Sequence, residues 1–190
     1  MKNQMIAVIL FLISAKLITM MACADSSNPS EPKTVPKVDL SRYLGQWHEI
    51  ATIPMWFQKD CAGGTTAAYT LKDNGEVGVL NQCVTAEGKV KSAKGVAWVM
   101  DKNTNAKLKV SFFPFGLKWF AGDYWIIDLG PNYEYAVVGH PSRKYGWILS
   151  RTPELPQPVL DGIVKRLAEQ GYDWSKFKMT EQKKILPLPK

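Results

Sequence analysis

The sequence predicts an all-β domain, an eight-stranded antiparallel up-and-down β-barrel with one C-terminal α-helix packed on its outside. Three observations point there. From Tyr43 to Arg151, short runs rich in β-branched and aromatic residues alternate with turn residues, and no helical period intervenes. Turn signals recur at Asp73-Asn74-Gly75, Asp101 to Asn105, Gly130-Pro131-Asn132 and Pro141-Ser142-Arg143. A single amphipathic stretch follows the last run. Many short strands at this spacing make a sandwich or a barrel, and eight strands enclose an interior just wide enough for one small ligand.

Taken in order, the chain opens with an export segment over 1–22. Met1-Lys2 precedes an apolar run from Ile6 to Ala15, which Lys16 ends. That run has signal-peptide length and is shorter than the roughly 20 residues of a membrane span. Met20-Met21-Ala22-Cys23 resembles a bacterial lipobox. The resemblance implies cleavage before Cys23, a thioether-linked diacylglycerol (and a further acyl chain such as palmitate) on it, and a stable lipid anchor. Ala24, where an Asp would favour inner-membrane retention, implies the outer membrane. Cleavage after Ala24 is the alternative, because Ala22-Cys23-Ala24 also fits an ordinary signal-peptidase site. Residues 23–38 then read as the lipidated cysteine with a Ser/Asn/Pro-rich linker, and 39–190 as the domain.

The expected strands are 45–54, 64–72, 76–85, 90–100, 106–113, 121–129, 134–140 and 144–151. The helix begins at Pro156 and Pro158, buries Val159, Leu160, Ile163, Val164 and Leu167 on one face, and stops at Gly171.

Composition narrows the function. The 190 residues are 46% hydrophobic and 22% charged, enough for a packed core. The net charge of +7 falls to +5 once Lys2 and Lys16 are removed with the export segment. It is spread thinly along the chain, and no nucleic-acid-binding signature accompanies it. His48 and His140 lack ligand spacing, so no metal is expected. Nucleophile, P-loop and dinucleotide motifs are missing, so neither an enzyme nor a cofactor is expected. Cys61 and Cys83 make an even pair in an oxidising compartment and are expected to form a disulfide bond. Symmetric pairing about the Asp73-Asn74-Gly75 turn would not set them opposite each other, so a bulge is required. Two free thiols, or a reactive Cys61, are the alternatives.

Three motifs carry a family resemblance over about 39–180. Gly45-Gln46-Trp47-His48-Glu49-Ile50-Ala51 matches the lipocalin opening motif, with His48 in place of the usual Tyr. Asn132-Tyr133-Glu134-Tyr135-Ala136 resembles the second motif, with Asn for Asp and one residue missing. Trp147-Ile148-Leu149-Ser150-Arg151-Thr152-Pro153 matches the third. Together with Leu108 to Phe113, they resemble the bacterial outer-membrane lipoprotein branch, which is apolipoprotein D-like. That branch implies storage or transport of a fatty acid or lysophospholipid for envelope maintenance under stress. The resemblance also implies that Gly45, Trp47, Tyr133 and Arg151 close one end, with Arg151 across the Trp47 indole.

If Trp47 marks the closed end, the open mouth gathers 54–63, 86–89, 114–120 and 140–143. Its loops carry Trp56, Phe57, Phe113 and Phe115, an oily set for loops. They read as a lid, as an entrance for acyl chains, or as both. Side-chain alternation from Trp47 places Glu49, Ala51 and Ile53 inside. Glu49 then needs a polar partner such as a Tyr or an Arg, or meets a ligand headgroup. Trp98, Phe112, Tyr124, Ile126, Tyr135, Val137 and Trp147 complete the expected wall. The composition suits a small amphiphilic lipid. A structural envelope protein with a filled barrel is the alternative, and a homodimer is left open.

Overall fold

The computed structural model describes residues 31–113 and 118–182. Eight antiparallel strands run in sequence: β1 (Gly45–Thr52), β2 (Cys61–Leu71), β3 (Val77–Thr85), β4 (Val90–Val99), β5 (Lys107–Ser111), β6 (Gly122–Leu129), β7 (Tyr135–Gly139) and β8 (Gly146–Ser150). Each pairs with the next. β8 returns to β1, which also pairs with β2 and so closes the barrel. Closure leaves no free edge along most of the sheet. The export segment, Cys23 and Phe115 lie outside the described residues. No helix among the described residues is long and apolar enough to cross a membrane.

A single-turn helix, α1 (Leu40–Tyr43), precedes the barrel and is capped by Asp39, whose side chain accepts from the Ser41 amide at 2.9 Å. It was not legible in advance. The long helix α2 (Gln157–Glu169) starts after Pro156, with Pro158 in its first turn, where no intrahelical donor is lost. Its buried stripe of Leu160, Ile163 and Leu167 packs outside the barrel on Ala51, Val137 and Ile148. Arg166 fixes the helix further, donating to Asp128 at 2.7 Å and to the Tyr135 hydroxyl at 2.9 Å.

Two hydrophobic cores result. One fills the barrel around Trp47, Ile126, Val138 and Leu149, and the other lies between the barrel wall and α2. This second core corrects several expected orientations. The β1–β8 register shifts between Glu49 and Ala51, so a bulge reverses the alternation. Glu49 stays inward, opposite Leu149, whereas Ala51 and Ile53 turn out beneath α2. On β7 the inward residues are Ala136 and Val138, and Tyr135 and Val137 face the helix.

A further short strand, β9 (Lys178–Met179), pairs with Ala51 and Thr52 on the edge of β1 where β2 has diverged. β2 carries register shifts at Cys61/Gly63 and Gly63/Thr66, so it leaves β1 beyond the His48–Thr66 pair. The chain after β9 enters this gap. The Gly64 amide donates to the Glu181 carbonyl at 2.7 Å, and the Gln182 side chain donates to the carbonyls of Glu49 and Thr65. The same bulges bring Cys61 and Cys83 together as a disulfide with a Cα–Cα distance of 5.6 Å.

Candidate ligand-binding site

The closed end is built from residues of all three motifs. Trp47 is fully buried, and its indole N–H donates to the Tyr43 carbonyl at 2.8 Å. The Arg151 guanidinium lies 3.7 Å from the Trp47 ring centroid. It donates to the carbonyls of Gln46 at 2.8 Å and Arg42 at 2.6 Å. Gly45 has φ of +89°, and a Cβ there would stand 3.5 Å from Arg151. Tyr133, with φ of +62°, accepts the Asp39 amide on its hydroxyl at 2.7 Å and lies under Arg42. Gly45, Trp47, Tyr133 and Arg151 therefore meet at one end of the barrel.

Above this plug three phenols converge. The Tyr124 hydroxyl lies 2.8 Å from that of Tyr43 and 2.9 Å from that of Tyr69. Burial pushes the Tyr69 phenol up to about 12 and those of Tyr43 and Tyr124 well above their ordinary value, so all three stay neutral. They line a cavity of about 20 Å³ with Leu108 and Val110, room for about one water in a mostly apolar setting. Tyr124, Val110 and Trp147 pack against this interior core and are partly buried.

Glu49 stands on the inner wall and is 5% exposed. Its carboxylate accepts from the Thr180 hydroxyl at 2.7 Å and from Gln58 Nε2 at 3.0 Å. The partner is therefore an amide and a hydroxyl rather than the Tyr or Arg that the sequence suggested. Burial raises the Glu49 pKa, and the two hydrogen bonds offset this in part. Gln58 comes from the turn Trp56–Gln58 at the mouth, and Thr180 from the segment after β9, so the carboxylate ties both to β1.

The mouth is oily. Trp56 and Phe57 are exposed and meet edge to face, and Phe113 packs on Phe120 at 4.9 Å. Trp119 is 93% exposed.

Of the expected wall, Tyr124, Ile126 and Trp147 line the interior. Trp98 does not, because Ala97 and Val99 take the inward positions of β4. It opens onto a groove of about 880 Å³ on the outer face of β2 to β5, beside Leu80 and Val96. Phe112 and Phe113 border the same groove from the rim, and Phe112 lies so close to Gly95 that a Cβ there would stand 2.8 Å from its ring. Tyr43, Tyr69, Val110, Gln58 and Thr180 carry no motif that marks them in the sequence. Tyr69 and Val110 fall on the inward phase of β2 and β5, a signal that correct registers would have exposed. Among the described residues no group of His, Cys, Asp and Glu could hold a metal ion.

Comparison with known proteins agrees with this architecture. A family model described as a lipocalin-like domain matches residues 38–182. The chain belongs to the lipocalin family. Temperature-induced lipocalin-1 of Arabidopsis thaliana is 39% identical over 161 residues, covering 83% of this chain and 86% of that protein. Outer membrane lipoprotein Blc of Escherichia coli K12 is 36% identical over 163 residues, covering 85% and 89%. Among solved structures, insecticyanin of Manduca sexta superposes with a TM-score of 0.65 at 27% identity, covering 83% of this lipocalin and 87% of that chain.

Proposed function

We propose that this lipocalin binds one single-chain amphiphilic lipid, a fatty acid or lysophospholipid, inside its barrel, and serves as a carrier rather than a catalyst. The observation that carries the reading is the apolar lining of the barrel interior around the Tyr43–Tyr69–Tyr124 cluster, with Val110 and Trp147 among it and the buried carboxyl of Glu49 on the inner wall. That is the distribution of an acyl chain with a polar end. The exposed rim of Trp56, Phe57, Trp119 and Phe120 suits the passage of an acyl chain from a bilayer. Likeness to outer membrane lipoprotein Blc supports a placement at the outer membrane through acylated Cys23, facing the periplasm, with a part in envelope maintenance under stress.

Titration with lysophospholipids and fatty acids, followed by tryptophan fluorescence, tests the binding. Saturable quenching is expected, and a barrel silent to every amphiphile would leave a structural role. Anchoring is tested separately by labelling cells with a radioactive fatty acid. Cys23→Ser should abolish both the label and membrane retention, and retention of both would contradict the anchor.

A further inference from the structure

We propose that Glu49 and Gln58 form the headgroup site of the barrel, and that it selects an amphiphile with a hydrogen-bond-donating ammonium head over one ending in a free carboxylate. This rests on the interior being a lipid site and narrows which lipid it takes.

A carboxylate offers about four lone-pair directions. At Glu49, Thr180 Oγ1 and Gln58 Nε2 fill two of them, and both donors are neutral. No Lys or Arg pairs with Glu49 among the described residues. The Gln58 amide must turn its nitrogen toward the carboxylate, since its oxygen there would face another oxygen. That leaves Gln58 Oε1 beside the carboxylate, buried and without a partner. Asn81 Oδ1 is likewise buried and unpartnered, on the inward phase of β3 opposite Ala67. Buried acceptors are normally satisfied.

The inner wall at Glu49 thus presents a carboxyl group beside the orphaned Gln58 oxygen, with no cation paired to it among the described residues. An ammonium group is the complement, because it carries three N–H donors and a positive charge. A fatty-acid carboxylate is the opposite case. It would set a second anion beside Glu49 in a desolvated space and supply no donor. Burial has already pushed the Glu49 carboxyl above its ordinary range with no cation to offset it, and an entering ammonium supplies that offset. The acyl chain would then run inward past Trp147 and Val110 toward the phenols.

The test compares tetradecylamine, tetradecan-1-ol and tetradecanoate, which share one chain and differ only in the head. Each displaces a fluorescent probe from the purified protein at neutral pH, below its aggregation concentration. The expected order is amine, then alcohol, then acid, with the amine at least about tenfold tighter than the acid, as one charge-assisted hydrogen bond allows. Glu49→Gln should weaken the amine about tenfold, to the level of the alcohol, and leave the alcohol unchanged. Tetradecanoate binding as tightly as the amine would overturn the proposal, as would unchanged amine affinity in a folded Glu49→Gln protein. Should that variant fail to fold, Gln58→Leu removes the orphaned oxygen, and an undiminished gap between amine and acid there is equally fatal. If none of the three chains binds, the lipid-site reading itself fails; binding in the reverse order sinks only the headgroup assignment.

Discussion

The Arg151 guanidinium lies over the Trp47 indole, 3.7 Å from the ring centroid, and donates to the carbonyls of Arg42, Gln46 and Tyr133. One planar side chain from the end of β8 thereby joins β1, α1 and the β6–β7 turn. Stacking and forked hydrogen bonding both need a flat, delocalised cation. Arg151→Lys is accordingly expected to lose on the order of 2 kcal/mol, since the ammonium cannot serve three carbonyls and a ring together. Trp47→Ala should cost more, about 3–5 kcal/mol for a fully buried Trp. Chemical denaturation of the two variants beside the parent checks both, and near-neutral midpoints would contradict the plug.

The disulfide between Cys61 and Cys83 spans a separation of 22 residues. It fastens β2 to β3 at the mouth, where bulges weaken the ladder. Replacing both cysteines by Ala should destabilise the fold by about 3 kcal/mol, the scale of chain entropy released by a loop of this length. The same loss should appear when the parent is unfolded under reducing conditions. Equal stability with and without reductant would contradict a contribution from the bond.

The buried Glu49 gives a pH signature of defined sign. Its folded pKa is raised by burial above the ordinary 4.5, so its contribution to stability is fully present below that value and is lost as pH rises through the folded pKa. Glu49→Gln resembles the protonated acid and escapes this loss. The melting temperature of Glu49→Gln relative to the parent should therefore rise as pH climbs from below 4.5 toward neutrality. A difference independent of pH would mean that the carboxyl is not desolvated.

The rim aromatics make a contrasting case. Trp119 is 93% exposed, so Trp119→Ser should shift stability by no more than about 0.5 kcal/mol. Its expected effect is on exchange, with slower transfer of a fluorescent acyl chain from vesicles to the barrel. A large loss of stability would show that the loop is packed rather than displayed.

How much of this was legible in the sequence depended on whether each strand had one wet face. Where one face meets solvent, alternation fixes the phase; β8 and the second half of β1 offer no such face, and the expectation at Trp47 and Arg151 rests instead on the family motifs. On β7 every residue from Tyr135 to Gly139 is buried, because the barrel interior covers one face and α2 the other. An unbroken apolar run carries no phase, so the sequence alone puts Tyr135 and Val137 on the interior side, and the structure turns them toward α2. At Ala51 and Ile53 the error came from the bulge after Glu49, which one sequence does not announce. β9 has two exposed residues and no pattern of its own; it exists because bulges in β2 open a gap beside β1. The partners of Glu49 come from a mouth turn and from that late segment, 9 and 131 residues away, so no local spacing could have named them.

The central claim is that the interior, and not the outer groove beside Trp98, holds one amphiphile. Titration by isothermal calorimetry with a single-chain lysophospholipid below its aggregation concentration tests it, run on the parent, on Val110→Trp and on Trp98→Ala. Val110 lines the interior cavity together with the three phenols, and Trp98 lines the outer groove. The expected result is saturable binding of one lipid per chain, lost in folded Val110→Trp and retained in Trp98→Ala. Heat that never saturates, or binding that survives Val110→Trp and disappears with Trp98→Ala, would contradict the account.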